Sequence, residues 1–420
     1  MYRPDLEAAP PDVIRDRQLA RLNDLLSRIL PQNAYYARRL GALRPPISWG
    51  EFRALSFTTK ADLVADQKTS PPLGTIATYS PEQYVTYHQT SGTTGRSLAI
   101  LDTQESWDWW AECWQYVYAA AGVTARDRIF FAFSFGPFIG FWSAYAAARH
   151  LGAMTIPGGG LDSKTRLQLL RNTQATVLVS TPTYALRLAE VARAEGLSVR
   201  DSAIRVTIHA GEPGASIPSV RSRIEEAWGA RSFDHAGGTE VGAYGFSCDA
   251  REGIHVNEAE FIAEVLDPVT GQPCADGAAG ELVITNLGRA GWPVIRYRTG
   301  DVVSVGTRAC RCGRTFLTFP GGIIGRTDDL IILRGVNVYP SAIEAIVRTF
   351  EIDEFRMVRT RNGALDELTV EVEASDLVAE HLAIAFRDRL AVRIPTRTVP
   401  AGSLPRWELK AKRVVDARGQ

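Results

Sequence analysis

The sequence has little of what marks several other protein classes. Its 420 residues include five cysteines, and its 47 basic residues are balanced by 47 acidic ones, so the formal net charge is zero. These cysteines are too few for a disulfide framework in a chain of this length. Because no overall charge favours nucleic acid or an anionic membrane, we expect neither as a partner, and any anion site must be built locally.

An uninterrupted membrane-spanning segment is also lacking. Residues 129–148 are almost wholly apolar, but Gly136 and Pro137 divide them. We therefore predict a buried strand followed by a helix. Residues 1–16 carry charges and prolines where a signal peptide has an apolar core. We accordingly expect a cytoplasmic protein.

The most distinctive segment is rich in glycine and in hydroxyl side chains. Its glycines allow the backbone to turn tightly, and its hydroxyls and guanidinium add donors to the backbone N–H groups. This composition predicts a polyphosphate-binding loop, with an ordinary turn as the alternative. The spacing does not fit the Walker A loop. The candidate phosphate-binding residues are Thr90, Ser91, Gly92, Thr93, Thr94, Gly95 and Arg96.

Strands and helices alternate in the middle of the chain, between residues 124 and 212. This rhythm predicts a mostly parallel sheet, and such sheets bind ligands at the carboxyl ends of their strands. Those ends are the small or polar residues 158–160, 180–182 and 211–213. Residues 252–320 contain short alternating strands with turn residues between them, which predicts an antiparallel β subdomain.

A third region follows Gly325. Its order of hairpin, helix, strands, helix and strand predicts a small α+β domain. The expected fold class is therefore α/β. We expect a large N-terminal domain (1–325) of mostly parallel sheets sandwiched by helices, with the β subdomain at about 245–325, and a small C-terminal domain (326–420).

Four further motifs follow the glycine-rich segment in order. They are Asp-His-Ala-Gly-Gly-Thr-Glu-Val-Gly at 234–242, Arg-Tyr-Arg-Thr-Gly-Asp at 296–301, Gly-Arg-Thr-Asp-Asp at 325–329 and Pro-Arg-Trp-Glu-Leu-Lys at 405–410. In this order the set resembles the adenylate-forming acyl-CoA synthetase superfamily. Gly-Val-Asn-Val-Tyr-Pro at 335–340 narrows the resemblance to the phenylacetate-CoA ligase branch. The resemblance extends from about Phe57 to Asp416.

The resemblance implies an ATP-dependent, AMP-forming ligase. Such an enzyme adenylates an aromatic or arylalkyl carboxylic acid and transfers the acyl group to coenzyme A, with Mg²⁺ as a cofactor. Two alternatives stay open: an adenylation enzyme of secondary metabolism that loads a carrier protein or uses another nucleophile, and a catalytically dead nucleotide-binding regulator. Whether the protein is a homodimer is also left open.

The resemblance assigns roles to single residues. Lys410 resembles the mobile catalytic lysine, with Lys412 as the competing candidate because Leu409 replaces a common glycine. Thr239 is expected near the α-phosphate and Glu240 as the Mg²⁺ ligand, with a helix-start carboxylate as the alternative for the latter. The remaining candidate nucleotide-binding residues are Gly211, Glu212, Pro213, Asp234, His235, Ala236, Gly237, Asp301 and Arg326.

Several candidate residues carry a further interpretation. Asp301 resembles the carboxylate that binds the ribose hydroxyls, and Arg326 the guanidinium near ribose and phosphate, with a surface ion pair as the alternative for both. Asp328 resembles the hinge of the mobile small domain, with a surface turn as the alternative. Ala236 departs from the aromatic residue that packs on adenine in many relatives. We interpret His235 and His209 as pocket walls rather than proton carriers.

The acyl group is expected between the strand ends and an aromatic segment. Aromatic walls favour an aryl or arylalkyl acid over a long fatty acid, although core packing remains the alternative for these side chains. The candidate pocket residues are Phe135, Phe138, Phe141, Ala210, Gly237 and Gly238.

Two pairs of soft ligands lie in the predicted β subdomain. Cys248 and His255 form one pair, and Cys310 and Cys312 form the other. Together they are a candidate structural Zn²⁺ site, with free buried thiols as the alternative. Cys113 and Cys274 are not expected to take part.

Overall fold

The structure, a computed structural model, describes residues 1–90, 97–334, 336–362, 365–407 and 410–418. Helices lie at α1 (Pro4–Glu7), α2 (Pro11–Ile29), α3 (Ala34–Leu40), α4 (Trp49–Ala54), α5 (Lys60–Thr69), α6 (Gln104–Ala120), α7 (Trp142–Leu151), α8 (Ser163–Asn172), α9 (Pro182–Ala194), α10 (Pro218–Trp228), α11 (Pro340–Val347) and α12 (Asp376–Leu390). Within these ranges no helix is long and apolar enough to cross a membrane.

The structure contains the predicted strands and others that the sequence did not predict, among them residues 231–238 and 242–247. They lie at β1 (Tyr84–Gln89), β2 (Ala99–Thr103), β3 (Arg128–Phe131), β4 (Met154–Pro157), β5 (Val177–Ser180), β6 (Val206–His209), β7 (Arg231–Gly238), β8 (Gly242–Ser247), β9 (Ile254–Val256) and β10 (Phe261–Leu266). The remaining ones are β11 (Ala279–Asn286), β12 (Tyr297–Ser304), β13 (Thr318–Phe319), β14 (Ile323–Arg326), β15 (Ile331–Leu333), β16 (Val336–Val338), β17 (Phe355–Asn362), β18 (Leu365–Val372), β19 (Thr396–Thr398) and β20 (Val414–Asp416).

An eight-stranded sheet forms the centre of the large region, in the order β13-β9-β8-β7-β6-β5-β3-β4. Its strands from β4 to β7 run parallel, as the alternation with helices predicts. From β7 to β13 the strands are antiparallel. The direction changes because only residues 239–241 connect β7 to β8, whereas a parallel connection needs a crossover of a dozen or more residues.

The predicted antiparallel subdomain contains the sheet β10-β11-β12-β14. One expected strand of this subdomain, at residues 314–319, is placed differently. Its end forms β13, and Thr318 pairs with His255 of β9 at the edge of the eight-stranded sheet. Alternation of apolar and polar residues identifies a strand but not the sheet that it joins. Residues 252–320 therefore contribute strands both to the four-stranded sheet and to the central sheet.

The last region has its own sheet, β19-β18-β17-β20, and its own hydrophobic core. Strands β17 and β18 form an antiparallel pair, and β19 and β20 lie parallel to them at the two edges. Helices α11 and α12 contribute core residues such as Ile343, Leu382 and Phe386. This is the small α+β unit that the sequence predicts.

The tryptophan-rich helix α6 packs inside the large region. Trp109, Trp110 and Trp114 are buried in its core. The hairpin β1–β2 lies beside this helix, because Thr103 ends β2 and caps α6 by accepting the N–H of Ser106 at 3.2 Å. The predicted phosphate loop connects these two strands.

Candidate active site

Three strand ends lie side by side at one edge of the central sheet. In the parallel ladder, Ser180 at the end of β5 pairs with His209 at the end of β6, and His209 pairs with Asp234 of β7. The loops that follow β5 and β6 therefore emerge at the same edge. Ligands of parallel sheets bind in this position.

Two histidines at this edge are buried and neutral near pH 7. His209 contacts the hydroxyl of Thr207 through Nε2 at 2.8 Å, and burial lowers its pKa to about 4. Burial also lowers the pKa of His235 to about 4, and its Nδ1 donates to the carbonyl of Gly245 at 2.8 Å. The ring of His235 packs against Trp114 with 4.2 Å between centroids. Their surroundings fit pocket walls rather than proton carriers.

Asp234 is a buried carboxylate that organises the neighbouring loop. Its Oδ2 accepts the N–H of Ser216 at 2.9 Å, and its own N–H donates to Ser247 at 2.7 Å. Burial raises the pKa of Asp234 to about 6. Close packing also surrounds Ala236, because a side chain on Gly245 opposite it would lie 2.9 Å from its Cβ. The small side chain of Ala236 thus fits the close approach of strand β8.

A buried ion pair anchors the segment that carries Thr239 and Glu240. Arg289 donates to both carboxylate oxygens of Asp102, at 2.6 and 2.7 Å, and neither side chain is exposed. Its remaining terminal nitrogen donates to the carbonyls of Thr239 and Glu240 at 2.9 and 3.1 Å. This arrangement joins strand β2 of the hairpin to the turn between β7 and β8. The sequence motifs did not identify either member of the pair.

Lys60 is a second residue that the motifs missed. It is the first residue of α5, whose cap Thr59 accepts the N–H of Asp62 at 3.1 Å. Its Nζ lies 3.3 Å from Oε1 of Glu240. A local capping pattern cannot show which distant carboxylate the first residue of the helix meets.

Asp301 and Arg326 face each other on neighbouring strands. They are register partners in β12 and β14, and Nη1 of Arg326 lies 3.0 Å from Oδ1 of Asp301. The hydroxyl of Tyr244 donates to the other carboxylate oxygen at 3.4 Å. Burial raises the pKa of Asp301 to about 6, although Arg326 opposes this shift. The exposed Asp328 accepts from Nε of Arg326 at 3.0 Å.

The structure brings Lys410 from the small region to the strand-end loops. A Cβ on Gly211 would lie 3.0 Å from Cε and 3.8 Å from Nζ of Lys410, and Gly211 has a φ of +97°. Loss of hydration lowers the pKa of Lys410, while Glu212, followed by Asp301, opposes the shift. Its ammonium thus lies among the candidate nucleotide-binding carboxylates. Lys412 is exposed, and Leu409 lies outside the described residues.

The described part of the hairpin between β1 and β2 ends at Thr90 and Leu98. Thr90 closes its base: its N–H donates to the carbonyl of Leu98 at 3.0 Å, and its hydroxyl accepts the N–H of Leu98 at 3.0 Å. The other predicted phosphate-binding residues, at 91–96, lie outside the described residues. Thr90 contributes to loop closure in this structure.

The candidate acid-binding segment is a loop between β3 and α7. The helix begins at Trp142, a few residues later than the apolar pattern predicts, because the chain turns through Phe141 before it becomes helical. Phe135 and Phe138 are partly buried, while Phe141 is buried. Ring centroids of Phe133 lie 4.8 Å from Phe135 and 4.7 Å from Phe141. Ala210 is half-buried at the neighbouring strand end, and Gly237 and Gly238 lie at the end of β7.

The four candidate zinc ligands converge in a second place. Their ligand atoms all lie within 4.8 Å of one another. Sγ of Cys248 is 3.7 Å from Sγ of Cys310, and Nε2 of His255 is 3.4 Å from the sulfurs of Cys248 and Cys312. Sulfur ligands about 2.3 Å from tetrahedral zinc stand about 3.8 Å apart, which matches this spacing.

Comparisons with known proteins agree with this geometry. The chain matches the AMP-binding enzyme family over residues 48–289 and the AMP-binding enzyme C-terminal domain over residues 335–418. It is 32% identical to a phenylacetate-coenzyme A ligase of Thermus thermophilus, with 100% of both chains covered. It is 33% identical to the phenylacetate-coenzyme A ligase of Escherichia coli, with 98% of this chain and 97% of that ligase covered.

A solved 2-hydroxyisobutyryl-CoA ligase has a similar structure. In its postadenylation state, with an adenylate bound, it superposes with a TM-score of 0.93 at 29% identity, covering 99% of this chain and 92% of that one. In its thioesterification state the TM-score is 0.75 at 31% identity and the same coverage. The arrangement of this chain is thus more similar to the first state.

Proposed function

This chain belongs to the AMP-binding enzyme family and is an AMP-forming acid–thiol ligase, and from that premise we propose that it joins an aromatic or arylalkyl carboxylic acid to coenzyme A. The observation that carries this proposal is the position of Lys410, which lies against Gly211 from another part of the chain, where the charges of Glu212 and Asp301 favour its ammonium form. A lysine in this position serves to bring two anions together.

The first step requires little proton transfer from the protein. A carboxylic acid is ionised near pH 7, so it attacks the α-phosphorus of ATP directly and releases pyrophosphate. The neutral rings of His209 and His235 accordingly supply walls rather than a base. Lys410 would bridge the substrate carboxylate and the α-phosphate, with Thr239 beside it.

Asp301, Arg326 and Glu240 bind the nucleotide and its metal ion in this proposal. Asp301 would accept the ribose hydroxyls, with Arg326 close to ribose and phosphate. Glu240 offers a hard oxygen ligand, and the buried Arg289 holds its main chain in place. Magnesium, when bound there, would neutralise charge on the phosphate oxygens. Lys60 would add a cation beside Glu240.

The second step transfers the acyl group. The thiol of coenzyme A attacks the adenylate carbonyl, the acyl–phosphate bond breaks, and AMP leaves. We propose that the small domain begins at residues 326–329 and turns about Asp328 between the two steps. The exposed position of Asp328 and the separate core of the small region support this boundary.

The aromatic acid is supported by two observations. The full-length relatives at 32% and 33% identity are phenylacetate-coenzyme A ligases, and Phe135 and Phe138 line a partly open loop at the strand ends. A second candidate is a short branched hydroxy acid. It is favoured by the structural similarity to 2-hydroxyisobutyryl-CoA ligase and by the close mutual packing of Phe133, Phe135 and Phe141.

Acid-dependent exchange of pyrophosphate into ATP separates these candidates. The panel should contain benzoates, phenylacetates, cinnamates and 2-hydroxyisobutyrate, each without an acceptor. We expect exchange with an aryl or arylalkyl acid, followed by thioester formation when coenzyme A is added. Exchange with 2-hydroxyisobutyrate alone would transfer the assignment to the second candidate. A thioester formed on a carrier protein but not on coenzyme A would change the acceptor.

We also propose that Cys248, His255, Cys310 and Cys312 hold structural zinc. The donor set is three thiolates and one imidazole, which suits a closed tetrahedral site. The ligands join the end of β8, strand β9 and the loop before β13, so zinc would fasten the antiparallel edge of the central sheet. Metal analysis of the purified protein tests this site.

A further inference from the structure

The carboxylate of Glu212 lies between the two regions of the chain. One oxygen accepts the N–H of Thr183, and the other accepts the N–H of Ala411, both at 2.8 Å. We infer that Glu212 is a positioning residue that holds the lysine-bearing segment in the adenylating arrangement. This inference rests on the proposed function, because it assigns Lys410 to the first half-reaction.

The large region holds Glu212 in place without help from the small one. Thr183 is the second residue of α9, and the N–H groups of a first helical turn have no partner within the helix. The positive end of the helix dipole favours a carboxylate there. Glu212 is therefore fixed at one oxygen, and its second oxygen is presented to whatever segment arrives opposite.

The N–H group that donates to this second oxygen belongs to Ala411, the residue next to Lys410. A hydrogen bond to the N–H of Ala411 fixes the main chain directly after the lysine. The stem of Lys410 passes over Gly211, where a side chain would lie 3.0 Å from its Cε. Glu212 thus fixes the position of the main chain beside the lysine, and Gly211 leaves room for the lysine side chain.

Arg413 makes a parallel contact two residues later. It is buried and held within the small region by Glu354 at 2.7 Å and Glu344 at 3.1 Å. Its Nη1 also donates to the hydroxyl of Thr183 at 3.4 Å. Thr183 therefore contacts the same segment through its side chain while its N–H holds Glu212. The shorter of the two contacts across the boundary is the one between Glu212 and Ala411, at 2.8 Å.

This contact belongs to one arrangement of the two regions. The chain is more similar to 2-hydroxyisobutyryl-CoA ligase in the postadenylation state than in the thioesterification state, with TM-scores of 0.93 and 0.75. A bond that spans two regions is lost when one rotates away from the other. Glu212 therefore supports the first half-reaction and has no comparable part in the second.

Both carboxylate oxygens of Glu212 accept backbone N–H groups. Glutamine offers one carbonyl oxygen, and its amide group faces the second N–H without accepting from it. We expect Glu212→Gln to slow acid-dependent pyrophosphate exchange about tenfold to a hundredfold, the value of one charge-assisted hydrogen bond. Because the positioning of Lys410 is affected, the loss should fall on kcat rather than on KM for ATP.

The test measures the two half-reactions separately. Pyrophosphate exchange reports adenylation, and thioester formation from a synthetic acyl-adenylate and coenzyme A reports transfer. We expect E212Q to slow the first and to change the second by no more than about twofold. Glu195→Gln is the matched control, because Glu195 lies just past the other end of α9 and pairs with Lys164 at the surface. Equal losses in both half-reactions, or a rise in KM for ATP alone, would overturn the inference.

Hydrogen–deuterium exchange tests the contact without the reaction. A peptide that contains Ala411 should lose protection in E212Q and in Glu212→Ala, but not in E195Q. Unchanged protection in both Glu212 variants would overturn the inference. If the wild-type protein shows no acid-dependent pyrophosphate exchange, the proposed function fails on its own, and the exchange of the Ala411 N–H still decides whether Glu212 holds this segment.

Discussion

The two sides of the candidate active site are held by different kinds of contact. Beneath Thr239 and Glu240, the pair of Arg289 and Asp102 is fully buried and fixes main-chain carbonyls. Across the boundary with the small region, Glu212 makes a single hydrogen bond to an N–H of the other side. The first side is thus anchored by an ion pair within the large region, whereas Glu212 and Arg413 each contribute one hydrogen bond across the boundary.

Removing the buried anchor should have the largest effect. Arg289→Met leaves Asp102 charged and buried without its partner, so we expect the free energy of unfolding to fall by about 3 to 5 kcal/mol. Arg28→Met is the control, because Arg28 and Glu105 form an exposed pair whose loss should cost less than about 1 kcal/mol. Urea denaturation measures both variants. Equal losses would remove the distinction between anchor and surface pair.

The separable side is tested by Lys410→Ala. We expect pyrophosphate exchange to fall by about a hundredfold or more, since an electrostatic contact to the reacting groups is lost. ATP binding by calorimetry and the unfolding free energy should stay close to those of the wild type. Lys412→Ala is the matched control and should retain exchange. Full activity of K410A with loss in K412A would transfer the role to Lys412.

The proposed zinc site at the Cys/His cluster would also stabilise the large region. We expect about one zinc ion per chain in the wild type and none in the double variant Cys310→Ser, Cys312→Ser. The double variant should also unfold at lower urea concentration, because binding of the metal stabilises the folded state. Cys274→Ser, outside the cluster, is the control. A wild-type protein without zinc, together with unchanged stability of the double variant, would contradict the metal site.

Asp234 is a buried carboxylate like Asp102, but it accepts backbone N–H groups instead of pairing with a guanidinium. Its pKa of about 6 lies above the usual value of 3.8, so the folded state keeps a proton that the unfolded state has released between these values. Stability from this group therefore falls as pH rises from about 4 to about 6.

Asp234→Asn removes this dependence while keeping an oxygen to accept the N–H of Ser216. We expect the stability of the variant relative to the wild type to rise by about 2 kcal/mol across that window and then to stay level. Urea denaturation at several pH values measures it, with the exposed Asp249→Asn as control. A constant difference between D234N and the wild type across the window would show that Asp234 is ionised throughout.

Much of the fold could be predicted from local pattern. The alternation of strands and helices predicted the parallel part of the central sheet. The family was also predicted, because its motifs are short and retain their order. The predicted placement of β13 in the antiparallel subdomain was wrong, because alternation of apolar and polar residues does not specify the partner strand.

The site residues that lie in sequence motifs were predictable, whereas those brought together from distant parts of the chain were not. Lys410 and Asp301 lie in recognisable motifs, and the structure places Lys410 against Gly211 in one of the strand-end loops. Arg289 and Asp102 are 187 positions apart, and neither has a local signal. Glu212 was predicted as a nucleotide-pocket residue, but its two hydrogen bonds depend on segments that meet only in the folded chain.

The exposed edge of Trp142 has a practical consequence. Its indole N–H donates to the carbonyl of Gly136 at 3.0 Å, its ring lies 4.5 Å from that of Phe135, and 36% of the residue remains exposed. Indole emission depends on the polarity around the ring, so an acid that displaces water from this loop would shift its wavelength. The proposed acid site thus includes one of the nine tryptophans of the chain, and a change in emission on addition of the acid would test that placement.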